Sequence, residues 1–132
     1  MLSKEVDNDL TEKEIGMFYK TYNALGYGHL EKVYLNALIY ELNKLGLKVE
    51  SQKPIEVHYE NTIIGKYYAD LRVEDKHIIE LKTAARILPE HEAQLLHNKK
   101  STETELGLIL NYGPQAEIKR KILKVRNLRK SA

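Results

Sequence analysis

The stretch that most constrains this chain is YYADLRVEDKHIIELK, residues 67–82. Two apolar, β-prone runs flank the polar triplet Glu74-Asp75-Lys76, the pattern of a hairpin. Strand side chains alternate between faces, so Glu80 and Lys82 project from one side. With residues 74–76 as the loop, Val73 meets His77, and three steps further along the arms Asp70 meets Glu80. Two carboxylates would then stand roughly 5 Å apart at Cβ, which is destabilising unless a cation lies between them. A divalent cation with oxygen ligands is the natural candidate.

The rest of the chain reads as the frame for that hairpin. At 132 residues, with 42% hydrophobic and 30% charged side chains, it has the size and balance of a single globular domain spanning 1–132. No apolar run approaches the roughly 20 residues of a membrane helix. Residues 1–14 lack the apolar centre of a signal peptide. The absence of cysteine excludes disulfides and thiolate metal sites and fits a cytoplasmic protein. Charge is uneven: seven basic and no acidic residues follow position 118, whereas the preceding part carries 14 basic against 19 acidic. Such a basic segment, about 119–132, either grips phosphate backbones or is simply a solvated terminal strand and tail.

Periodicity supplies the elements. Residues 11–25 carry Thr11 and Glu14 at capping-box spacing, then Ile15, Phe18, Tyr19, Tyr22 and Leu25 at helical spacing. A second helix begins after Gly28 and stops at Gly46, with Leu30, Val33, Tyr34, Ala37, Leu38, Leu42 and Leu45 as its apolar face. From Leu47 the period changes. Residues 47–50 read as a short strand that Pro54 breaks, and 55–59 as a half-buried one. Residues 62–73 form a long strand bending at Gly65, and 77–82 the third strong strand. Ile78 and Ile79 are adjacent, so that strand is covered on both faces. Pro89 opens a helix running to about Lys100, with Glu90 and Glu92 near its positive end. Residues 107–111 and 116–125 are further strands, the last polar enough to lie at an edge. The order ααβββαββ predicts an α/β (α+β) domain, a central mixed sheet flanked by helices.

Asp70, Glu80 and Lys82 have the composition of a metal-dependent phosphodiesterase site. One or two carboxylates suffice for Mg²⁺, Mn²⁺ can substitute for it, and a neighbouring lysine can hold the attacking water or the phosphate. The competing reading is an exposed strand face with a Glu–Lys pair, disfavoured because the strand looks doubly covered. Glu31 lies on an otherwise mostly apolar helix row, reaching either solvent or a functional partner. His91 and His97 have the wrong spacing for a shared metal. The nine tyrosines can stack on bases or, more ordinarily, edge the core with the hydroxyl in water.

Gly28-His29-Leu30-Glu31-Lys32-Val33-Tyr34 resembles the signature of the small GxxExxY proteins. The resemblance continues through Gly65–Asp70, Ile79–Lys82, Glu92–Leu96 and Gly107–Gly113, covering about residues 12–122. That family lies in the PD-(D/E)XK nuclease-like superfamily, whose restriction-endonuclease-like core is αβββαβ; here one extra N-terminal helix precedes it. The resemblance implies Asp70 and Glu80 as metal-binding carboxylates, Lys82 as catalytic lysine, Glu31 as an additional acid and Gln94 as the glutamine of a Gln-x-x-x-Tyr element. This chain has Asn98 where that tyrosine would stand, and His29 where the family has an apolar or aromatic residue. The function so implied is Mg²⁺-dependent hydrolysis of nucleic acid, DNA foremost. Lys119, Arg120, Lys121 and Lys124 would bind backbone, and a homodimer would offer a site for each strand of a duplex. The alternative is a non-catalytic nucleic-acid-binding or protein-interaction module with the same fold.

Overall fold

The computed structural model describes residues 8–101 and 106–122, and within them the side chains of all but 52–55, 67–68 and 97–101. Two helices, α1 (Asn8–Leu25) and α2 (Glu31–Lys44), precede three strands, β1 (Val49–Tyr59), β2 (Thr62–Val73) and β3 (His77–Lys82). Helix α3 (Pro89–Ser101) and strands β4 (Leu106–Tyr112) and β5 (Ala116–Ile122) complete the expected order. The strands form one sheet in the order β1-β2-β3-β4-β5. The β3–β4 pair is parallel, bridged by α3, and the other pairs are antiparallel. A restriction-endonuclease-like mixed sheet flanked by helices is therefore present.

Burial follows strand position. Every residue of the inner strand β4 is buried, whereas β5, at the edge, is half-buried or exposed. The two sheet faces carry separate cores. On one, Leu71, Val73, Ile79, Leu81, Leu108 and Leu110 pack with Phe18 of α1 and Tyr34, Leu38 and Leu42 of α2. On the other, Ile78 and Ile109 pack with Leu95 of α3. Ile78 and Ile79 thus enter different cores, the arrangement their adjacency predicts.

Four expectations need correction. Pro54 does not break the strand, because β1 lies at the sheet edge, where a residue without an N–H is tolerated. The irregularity expected at Gly65 falls one residue away: the register slips between Val57↔Gly65 and His58↔Ile63, leaving Ile64 as the extra residue. The capping box does not form. Helix α1 starts three residues before Thr11, burying Leu10, Thr11 and Glu14. Glu14 is instead paired with His77 Nδ1 at 2.8 Å, both side chains fully buried. A local cap is worth only about 1 kcal/mol, too little to oppose that burial. Finally, the apolar face of α2 narrows to Tyr34, Leu38 and Leu42; Leu30 is 78% exposed, and Val33 and Leu45, like Tyr19 of α1, also reach solvent.

Helix α2 stops as its sequence dictates. Gly46 takes φ +83° and donates to Asn43 O at 2.9 Å, while Leu47 N–H reaches Leu42 O at 3.3 Å. This Schellman arrangement favours glycine. No helix among the described residues is long and apolar enough to cross a membrane.

Candidate active site

The site is built where β2 and β3 separate. Their ladder pairs Val73↔His77, Arg72↔Ile78 and Leu71↔Ile79, so the next step places Asp70 against Glu80 as the three-residue loop requires. Glu74 and Asp75 hold positive φ in that loop, and Lys76 N–H closes onto Val73 O at 3.0 Å. At Asp70 the side chain takes over from the ladder: Oδ2 accepts the Leu81 N–H at 2.7 Å. Glu80 is 5% exposed and Asp70 is half-buried. Burial pushes the Asp70 carboxyl above its usual range, against the opposing pull of the Leu81 N–H, the Lys82 charge and a hydrogen bond with Glu80.

Parity fixes what shares this face. Parallel pairing sets Glu80 beside Ile109 and Lys82 beside Asn111, and β5 continues these rows with Lys119 and Glu117. Ile109 belongs to the α3-side core, so Glu80, Lys82, Lys119 and Lys121 all stand on that side. Arg120 points the other way, donating from Nη2 to Asn8 Oδ1 at 2.9 Å. Lys121 and Lys119 reach Glu92 of α3 at 2.9 and 3.7 Å. Lys124 lies outside the described residues.

Glu31 arrives from the first turn of α2. It is exposed at the rim and not sunk in the core, yet its carboxyl is raised, first by desolvation, then by the Asp70 charge, with Lys82 opposing. Glu31 thus stands within electrostatic reach of Asp70 and Lys82, and Asp70 in turn meets Glu80 and Lys82. The GxxExxY spacing acquires a physical reason here. Gly28 takes φ +115° in the turn between α1 and α2, and Tyr34, fully buried, stacks on Tyr112 with ring centroids 4.4 Å apart. The Tyr34 hydroxyl donates to Gly26 O and accepts the His29 N–H.

The segment leaving Lys82 is held by a buried amide. Asn111 Oδ1 accepts Ala84 N–H and Asn111 Nδ2 donates to Ala84 O, both at 2.9 Å, imitating a peptide group where the ladder has ended. Glu117 adds a bond to Ile87 N–H at 2.8 Å. Gly113 is required because any Cβ there would stand 2.0 Å from the Ala84 carbonyl oxygen. Helix α3 then begins with His91 Nδ1 accepting Leu88 N–H at 3.0 Å, a capping role that accounts for this histidine. Gln94 is exposed on α3 and, among the described residues, makes no hydrogen bond with the carboxylate pair. The side chains of His97 and Asn98 lie outside the described set.

Sequence reasoning missed Tyr34, Asn111 and His77 as organisers of this region. For the first two, the signal was the motif itself; for His77, nothing local marked it.

A profile of the PD-(D/E)XK nuclease superfamily matches residues 8–122, which span every element from α1 to β5. The chain belongs to the PD-(D/E)XK nuclease superfamily. No curated protein and no solved structure matches it. Nucleases of this superfamily act on nucleic acid and generally use divalent metal ions. Among the described residues, no three His, Cys, Asp or Glu side chains gather as a metal-binding cluster. Any ion would therefore rest on the Asp70–Glu80 pair and non-carboxylate oxygens. That donor set fits a small hard cation, which needs only one or two carboxylates and keeps several waters.

Proposed function

We propose that this protein is a Mg²⁺-dependent nuclease that hydrolyses phosphodiester bonds, with DNA as its substrate. The reading rests on one observation: two desolvated carboxyls, Asp70 and Glu80, face each other with Lys82 on the same side and Glu31 within electrostatic reach. Asp70, Glu80 and the Leu81 carbonyl would hold the ion, with Glu31 as the further acid beside it, and Mn²⁺ could replace Mg²⁺. When bound, the ion supplies a more acidic water and neutralises charge on the phosphate. Lys82 orients the attacking water and stabilises charge gathering on the phosphate oxygens. Gln94 positions that water or the phosphate from α3.

Lys119 lies in the Glu80 row two strands away, roughly 10 Å at ordinary strand spacing, near enough for a neighbouring backbone phosphate. Its contact with Glu92, and that of Lys121, are partly exposed ion pairs worth little in water, so a phosphate can displace them. Arg120 and Lys124 extend the basic segment. A homodimer would supply the second site needed to cut both strands of a duplex. Membership of the narrower GxxExxY family and a cytoplasmic setting complete the proposal.

The test is incubation of purified protein with single- and double-stranded DNA and Mg²⁺ or Mn²⁺. Wild type should cleave, and Lys82→Ala and Asp70→Asn should lose about 100- to 1,000-fold in rate. If wild-type protein binds DNA in a salt-dependent way but leaves it intact, catalysis is lost as a reading and the non-catalytic binder takes its place.

A further inference from the structure

We propose that Tyr34 is the positioning residue for Glu31, its single hydroxyl holding the α1–α2 turn so that the Glu31 carboxyl faces Asp70. The inference rests on the nuclease reading above, because it assigns Glu31 to the metal site. Both ends of the turn are fastened to one oxygen: the Gly26 carbonyl accepts from it and the His29 N–H donates to it at 3.1 Å. The turn needs such a fastening. Gly26 and Gly28 both adopt positive φ, and glycine leaves a chain with more freedom than any other residue. Leu30, the residue capping α2, offers no side-chain bond to the first turn, so the start of the helix lacks a side-chain cap to fix it.

Tyr34 can transmit a fixed position because its own ring is immobilised. It is fully buried, stacked on Tyr112 at 4.4 Å and met edge-on by His29 at 5.7 Å. Glu31 lies three residues earlier on the same helix, one turn away, so a rigid backbone links hydroxyl to carboxyl. Tyr112 provides a matched control. It occupies the same stack, but its hydroxyl is engaged with Thr21 Oγ1 at 2.8 Å and, among the described residues, makes no hydrogen bond with the turn.

The experiment is calorimetric titration with Mn²⁺ of wild type, Tyr34→Phe, Tyr112→Phe, Glu31→Gln and the Glu31→Gln/Tyr34→Phe double variant, with amide hydrogen exchange on each. Tyr34→Phe should bind Mn²⁺ about tenfold more weakly, the lower end of what loss of an outer partner costs a metal site. Tyr112→Phe should bind as wild type does. The double variant should bind no more weakly than Glu31→Gln alone, since the hydroxyl acts only through that carboxyl. In exchange, the His29 amide should lose protection in Tyr34→Phe and keep it in Tyr112→Phe. Wild-type affinity in Tyr34→Phe, or an equal loss when Glu31 is already glutamine, overturns the proposal. If wild type takes up no Mn²⁺, the nuclease reading falls; the exchange data then decide the clamp alone, and unchanged protection at His29 in Tyr34→Phe defeats it.

Discussion

Asp70 is held in a state that burdens the ion-free protein. Its carboxyl is desolvated, faces Glu80, and has its pKa raised by burial above all. A carboxyl whose folded pKa exceeds its unfolded pKa binds its proton more tightly in the native state. Stability is therefore undiminished below the unfolded pKa, falls as pH rises through the interval up to the folded pKa, and stays lowered above it. Asp70→Asn, which keeps an oxygen for the Leu81 N–H, should remove this penalty. Without metal at pH 7 the variant should melt about 3 °C higher than wild type, with no difference near pH 3. Adding Mn²⁺ should reverse the order at pH 7 by stabilising wild type alone. Thermal unfolding at the two pH values checks both halves.

At the scale of elements, α3 meets β4 in a close-fitting contact. Leu95 lies against Gly107 so closely that a Cβ at position 107 would stand 2.7 Å from Leu95 Cδ1. Gly107→Ala should cost about 1–3 kcal/mol in urea unfolding, through overpacking. Leu95→Ala should cost about 2–5 kcal/mol by leaving a cavity. The double variant should cost clearly less than the two together, because the new methyl occupies part of the vacated space. Additive losses would mean that Leu95 moves away freely and that α3 is anchored elsewhere. The apolar run GLILN predicts a buried strand correctly, yet it contains no sign of why its first residue must be glycine. That reason lies on a helix twelve residues earlier, above the other side of the contact.

At the scale of the molecule, the Glu14–His77 pair ties the first helix to the start of the central strand across 63 positions. Both side chains are fully buried, so either one alone would leave an uncompensated polar group in the core. Glu14→Leu or His77→Leu should each destabilise by about 3–5 kcal/mol, while the double replacement should be far milder, as equilibrium unfolding would show. A single variant as stable as wild type would count against a structural role for the pair. What the sequence by itself determined is local. The β2–β3 register, and with it the facing of Asp70 and Glu80, follows from strand alternation and a three-residue loop, because neighbours in sequence are the neighbours in space. The order of elements follows likewise from hydrophobic period. Only the tertiary structure decided that Glu14 leaves a capping box for a buried histidine, that Pro54 survives inside an edge strand, and that Leu30 and Val33 stay exposed. It also brought Glu31 to Asp70. Each of these depends on which distant surface covers a residue, and burial by a remote partner outweighs a local preference of about 1 kcal/mol while leaving no trace in the local pattern.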